Sequence, residues 1–199
     1  MSRDVVMLDS GGTNLGSVKY AFERLGVRAE LSRDVERIRR ASHVVLPGVG
    51  AAAPGMQRLR EAGLDRLIPT LTQPVLGVCL GMQLLFDASA EGDTTCLGIL
   101  RGKLSRFDGA RCGRVPHMGW NRVDTIKPSP LLAGLERDAF AYFVHSYAAP
   151  VTAATVASCD YGGAFAAVVS ERNFHGAQFH PERSAAVGAR LLANFLELQ

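Results

Sequence analysis

Cys79 stands in Val75-Leu-Gly-Val-Cys-Leu-Gly81, where a short apolar run gives way to a helical one, with Gly77 two residues before it and Gly81 two after. G-x-C-x-G is the thiol form of the nucleophile elbow, a sharp strand-to-helix turn that lifts the nucleophile above a sheet. The glycines leave room for the tight turn and for substrate. Free N–H groups and the positive dipole end of the following helix favour a thiolate and hold an oxyanion. For a cysteine at a strand end taken alone, a structural role stands beside the nucleophilic one.

A thiol nucleophile needs a base, and the base needs a group to orient it. Gly176-Ala-Gln-Phe-His-Pro-Glu182 offers both. His180 ends an apolar stretch that Pro181 keeps from continuing as a central strand. Glu182, two residues on, is near enough to reach the outer imidazole nitrogen while the inner one faces the thiol. On its own, His-x-Glu is more often an ordinary surface pair; the elbow is what gives it weight. A third segment, Leu46-Pro-Gly-Val-Gly50, ends another apolar run. There Gly48 and Gly50 would let backbone N–H groups turn toward a ligand at the C-terminal edge of a parallel sheet. Read alone, it is a strand-ending turn.

These groups must be positioned by the elements around them. Short β-type runs alternating with amphipathic helices in the first half predict a parallel sheet with helices on its faces. Strands are expected at Val5 to Leu8, Val27 to Leu31, His43 to Leu46 and Val75 to Val78. Leu15, Val18, Phe22 and Leu25 mark one helix face, a second helical stretch runs to about Leu71, and a third begins at Leu80 and includes Phe86. From about Leu97 the pattern turns β-rich and partly antiparallel, with runs at 97–104, 139–144, 153–158, 165–169 and 174–179. A last helix follows, through Val187, Leu191, Phe195 and Leu198. No repeat, linker or boundary divides residues 1–199, so one domain is expected.

Composition narrows the classes. The net charge of +3 comes from 22 basic and 19 acidic residues spread along the chain, with no run to track a phosphate backbone, so nucleic acid is not expected as a partner. The N-terminus has no signal-peptide core, no stretch reaches the roughly 18 apolar residues of a membrane span, and a cytoplasmic protein is expected. Cys79, Cys96, Cys112 and Cys159 are far apart, with no metal-ligand spacing and no disulfide framework. Cys96, Cys112 and Cys159 are read as small buried hydrophobes. Neither metal nor cofactor is expected.

Taken together, GVCLGMQLLF, QFHPE and LPGVG resemble the class I, or triad, glutamine amidotransferases. Val115-Pro-His-Met-Gly-Trp-Asn121 and Tyr142-Phe-Val-His-Ser-Tyr147 narrow the resemblance to the glutaminase subunits of imidazole glycerol phosphate synthases, and it runs from Asp9 to the last helix. It implies a flavodoxin-like α/β fold, a central mostly parallel sheet flanked by helices with an antiparallel β extension. It implies Cys79 as nucleophile, His180 as general base and then acid, and Glu182 as its orienter. The oxyanion would be held by the N–H of Leu80 and one from the Val49-Gly50 segment, and Gln83, Ser146 and Tyr147 would line the glutamine pocket. The implied partner is a β/α-barrel cyclase subunit that takes the ammonia within a heterodimer. His117 and His145 belong to the motifs and are assigned to structure or to the partner interface; His43 and His175 have no assigned role.

The chain departs from the family pattern at Asp9-Ser-Gly-Gly-Thr-Asn14, in a loop on the side facing the synthase, and at Ala51-Ala-Ala-Pro54, Ala90-Glu91 and Arg183. None of these touches the triad. The competing readings are a glutaminase of the same class serving anthranilate, guanylate or pyridoxal phosphate synthesis, against which PHMGWN and YFVHSY argue, and a catalytically silent regulatory homologue, against which the retained Cys, His and Glu argue.

Overall fold

A computed structural model describes residues 3–9, 15–136 and 138–199. The altered loop at Ser10–Asn14 lies outside them. Strands β1 (Val5–Leu8), β2 (Ala29–Ser32), β3 (His43–Gly48) and β4 (Val75–Cys79) alternate with helices α1 (Leu15–Arg24), α2 (Val35–Arg40), α3 (Ala52–Glu61) and α4 (Leu64–Leu67), and α5 (Leu80–Leu84) leaves β4 without a break. The rest is mostly strand: β5 (Phe86–Ser89), β6 (Thr94–Thr95) and β7 (Leu100–Arg106), a short α6 (Gly109–Cys112), then β8 (His117–Arg122), β9 (Asp124–Thr125), β10 (Phe140–His145), β11 (Tyr147–Ala148), β12 (Thr155–Asp160), β13 (Ala164–Glu171) and β14 (Phe174–Ala177), closed by α7 (Ala185–Phe195).

The main sheet has the order β2-β1-β3-β4-β14-β13-β12-β9. Its first five strands are parallel and its last four pair antiparallel. The parallel part, fifth strand included, repeats the 2-1-3-4-5 order of flavodoxin-like sheets. Alternation along each strand splits the core in two. Val5, Met7, Val45 and Leu76 face α1 and α7, through Phe22, Leu191 and Phe195. Val6, Leu8, Val44 and Val75 face α2 to α5, through Ile38, Met56, Leu59 and Leu84. Two small sheets complete the extension, β10-β8 and β11-β7-β5-β6. Among the described residues no helix is long and apolar enough to cross a membrane.

Several expectations shift. The helix after the elbow stops at Leu84 instead of including Phe86, because tertiary partners take its carbonyls: Leu97 N–H bonds Leu84 O, those of Ile99 and Leu100 bond Leu85 O, and that of Gly98 bonds Phe86 O. The strand expected over 174–179 ends at Ala177; the Gln178 N–H still bonds Ala167 O of β13 at 2.9 Å, and the His180 N–H turns to Tyr142 O of β10 at 3.0 Å. The helical stretch to Leu71 is broken by Gly63 at φ 68° into α3, α4 and a 3₁₀ turn at Ile68–Thr70. Helix α2 is too short for its Val35 and Ile38 to show a period; Asp34 caps it by accepting the Arg37 N–H at 2.6 Å. Strand β8 is another element that hydrophobic patterning does not reveal, because its outward positions are the apolar Met118 and Trp120.

Candidate active site

Strands β3, β4 and β14 are neighbours in the sheet although their ends lie at residues 48, 79 and 177. In the register Gly48 sits beside Cys79, and Ala177 beside Val78. The three segments singled out in the sequence therefore leave the same C-terminal edge of the sheet, where parallel α/β folds bind ligands.

Cys79 has φ 52° and ψ −111°, a conformation that L residues rarely adopt. Such strain costs about 1–3 kcal/mol and persists only where the surroundings enforce it. Here packing enforces it. A Cβ on Gly81 would lie 1.8 Å from Leu46 O, one on Gly77 2.6 Å from Met82 N, and one on Gly48 2.9 Å from Gly81 N. The glycines thus serve contact of backbone with backbone, which lets α5 start hard against β3 and β4; making room for substrate is not their use. Gly50, at φ 96° with nothing within 4 Å of its Cβ position, has the freedom that Gly48 lacks.

His180 is buried, and its Nδ1 is 2.9 Å from Glu182 Oε1. The Glu182 side chain is itself 1% exposed, so this pair is shielded from water. Burial works against a charged imidazole, yet hydrogen bonds and charge interactions with Cys79 and Glu182 outweigh it and raise His180 to about 10. An imidazolium held between a sulfur and a carboxylate is the arrangement of a thiol nucleophile with its acid–base partner.

A cavity of about 310 Å³ opens over the sulfur, at the small end of the roughly 300–1,000 Å³ usual for ligand pockets. Val49, Gly50, Leu80, Gln83, Ser146 and Tyr147 all line it, together with Cys79 and His180; Glu182 stands behind the imidazole. Gln83 is one helical turn past Cys79 and so shares its face. Its amide donates to Tyr147 O at 2.9 Å and to Gln178 Oε1 at 3.0 Å. The fully buried Gln178 in turn places Nε2 3.9 Å from Cys79 Sγ. Gln178 was not anticipated, although its spacing of two from His180 in an extended segment was a signal for the same side. Glu91 stands at one of the departures from the family pattern. It is the one carboxylate lining the cavity among the described residues, and it accepts the Ala52 N–H at the start of α3 at 2.8 Å.

The remaining cysteines divide. Cys96 and Cys159 are buried, and burial raises them to about 11 and about 12. Cys112 is only partly buried, at the end of the short α6, which corrects the expectation of a core residue. His43 and His175 lie away from the cavity, whereas His145 lines it and bonds His117, Nε2 to Nδ1, at 3.1 Å. Among the described residues no group of three or more His, Cys, Asp or Glu is placed to hold a metal ion.

Residues 6–198 match the family Glutamine amidotransferase class-I. The imidazole glycerol phosphate synthase subunit HisH of Xanthomonas axonopodis pv. citri (strain 306) is 57% identical over 195 residues, 98% of each chain. That of Xylella fastidiosa (strain Temecula1 / ATCC 700964) is 54% identical with the same coverage. In fold, the chain is similar to a crystal structure of a glutamine amidotransferase, with TM-score 0.74 and 20% identity over 96% of this chain and 97% of that one. It is also similar to a glutamine amidotransferase from Thermotoga maritima, with TM-score 0.64 and 18% identity over 99% and 82%. At more than half identity over nearly its whole length, the chain belongs to the class-I glutamine amidotransferases, in the branch of the imidazole glycerol phosphate synthase HisH subunits.

Proposed function

We propose that this chain is the glutaminase subunit of an imidazole glycerol phosphate synthase in histidine biosynthesis, hydrolysing glutamine through Cys79, His180 and Glu182 and passing ammonia to a cyclase partner. The observation that carries the reading is the buried His180–Glu182 pair beside a strained elbow cysteine in the wall of a small cavity. His180 takes the Cys79 proton and becomes the imidazolium that Glu182 favours. The sulfur attacks the side-chain amide carbon, and the oxyanion is met by the Leu80 N–H and one from Val49-Gly50. His180 then protonates the departing nitrogen, which leaves as ammonia. The neutral imidazole takes a proton from water and the hydroxide attacks the glutamyl thioester; the C–S bond breaks to give back the Cys79 sulfur beside a protonated His180, and the new carboxyl group loses its proton to solvent as glutamate leaves. Glu91 supplies the negative charge that fits the α-ammonium group of glutamine.

The partner reading rests on family membership and on an uncovered apolar face. Met118, Trp120 and Phe140, on paired strands β8 and β10, are 62%, 54% and 48% exposed. Ammonia freed into neutral water becomes ammonium and is lost as a nucleophile, so hydrolysis without an acceptor is futile. The test compares glutamate release by the chain alone, with a β/α-barrel cyclase, and with cyclase plus its ribonucleotide. A rise of roughly a hundredfold or more, the worth of one oxyanion donor, is expected on adding both. Full activity in the isolated chain would instead indicate a free-standing glutaminase.

A further inference from the structure

We propose that His117 and His145 form a one-directional hydrogen-bond relay that positions the Val144–Tyr147 wall of the pocket, and through it Gln83, from strand β8; its catalytic meaning rests on the glutaminase reading. The direction follows from the carbonyls at its two ends, which can only accept. Tyr147 O is 2.9 Å from His145 Nδ1, so that nitrogen carries the proton. A neutral His145 then offers a lone pair at Nε2, and His117 Nδ1, 3.1 Å away, must donate to it. His117 Nε2 is left as the acceptor and takes an N–H of Asn121 at 3.2 Å. The second Asn121 N–H goes to Asp160 O at 2.9 Å, and its Oδ1 accepts the Arg122 N–H at 2.8 Å. Only one assignment of hydrogens satisfies every member.

The surroundings hold that assignment. His117 is stacked between Phe143, at 5.0 Å and 25°, and Tyr161, at 4.0 Å and 26°. Both imidazoles are buried, and burial keeps His117 down at about 4 and His145 at about 3, hence neutral near pH 7. Among the described residues, strands β8 and β10 form a ladder only with each other; β10 is tied to the segment after β14 by the His180 N–H on Tyr142 O and the Tyr142 N–H on Ser184 Oγ. The relay ends on the carbonyl that also receives Gln83 Nε2, whose other bond leads to Gln178 and Cys79 Sγ. A fully satisfied buried network has one geometry, and a broken one leaves a costly orphan.

The test uses the full-length chain. Nitrogen NMR of the free protein should find both rings protonated at Nδ1; an Nε2–H tautomer in either ring overturns the relay. His117→Phe keeps a ring between Phe143 and Tyr161 but faces His145 Nε2 with C–H, whereas His117→Asn restores a donor where Nδ1 stood. With cyclase and ribonucleotide present, His117→Phe should lose roughly tenfold or more in kcat/KM for glutamine, the worth of an orphaned buried acceptor, and His117→Asn should recover most of it. Equal losses in the two folded variants, or none in His117→Phe, would reduce the pair to packing. Should both tautomers be found as assigned in a chain that hydrolyses no glutamine, the glutaminase reading falls while the hydrogen-bond order stands.

Discussion

At the scale of residues, the backbone of Cys79 and the shielding of Glu182 set the expectations. Cys79→Ala should abolish glutamine hydrolysis and leave the fold intact. Because φ 52° suits glycine better than any L residue, Cys79→Gly should be more stable than Cys79→Ala by about 1–3 kcal/mol in denaturant unfolding. Equal stability would mean that the elbow stores no strain. His180→Ala should cost several orders of magnitude in kcat with added cyclase. Glu182→Gln should cost less, since an amide can still accept the imidazole N–H while the charge that favours imidazolium is lost. Steady-state kinetics decide the point, and small, equal losses would remove both residues from the triad.

At the scale of elements, the start of α5 depends on contact between backbones. A methyl group at Gly81 would fall 1.8 Å from Leu46 O, whereas one at Gly109 meets nothing within 4 Å. Overpacking usually costs about 1–3 kcal/mol, and a carbonyl in a central strand cannot yield as a side chain does. Gly81→Ala is therefore expected to lose at least that much stability, together with reactivity of Cys79 toward iodoacetamide, while Gly109→Ala stays close to the parent in thermal unfolding. Comparable melting temperatures for the two would contradict the packing account of the elbow. The short α5 teaches the same lesson: its length is decided by residues 97–100, which take the carbonyls that a longer helix would have used.

At the scale of the whole molecule, buried histidines tie stability to pH. His117 and His175 are lowered to about 4 and His145 to about 3, in each case by burial first, against about 6.5 in an unfolded chain. Below pH 6.5 the unfolded state therefore binds more protons. The contribution of these three rings is fully present above that pH and falls on acidification, each by roughly 1.4 kcal/mol per pH unit until its folded value is reached. His180, raised to about 10, instead contributes stability that is present below pH 6.5 and is lost as pH rises toward 10. Thermal unfolding between pH 7 and 5 should show a steep loss; a flat profile would mean that these rings are not held neutral.

The three segments that meet at the cavity, around Cys79, His180–Glu182 and Gly48–Gly50, were legible in the amino-acid sequence because each is a local pattern: a glycine two residues either side of a cysteine, a glutamate two past a histidine, glycines closing a strand. The parallel half of the sheet was legible for the same reason, since strand and helix periods are local properties. What tertiary structure decided depends on partners distant in the chain. Gln83 meets Tyr147 and Gln178 across 64 and 95 residues, Glu91 reaches the start of α3 across 39, and His117 meets His145 across 28. No short-range periodicity encodes such pairings. They arise where strands β3, β4 and β14 end side by side and where β8 finds β10, and the direction of each hydrogen bond is set only once a backbone carbonyl is there to accept it.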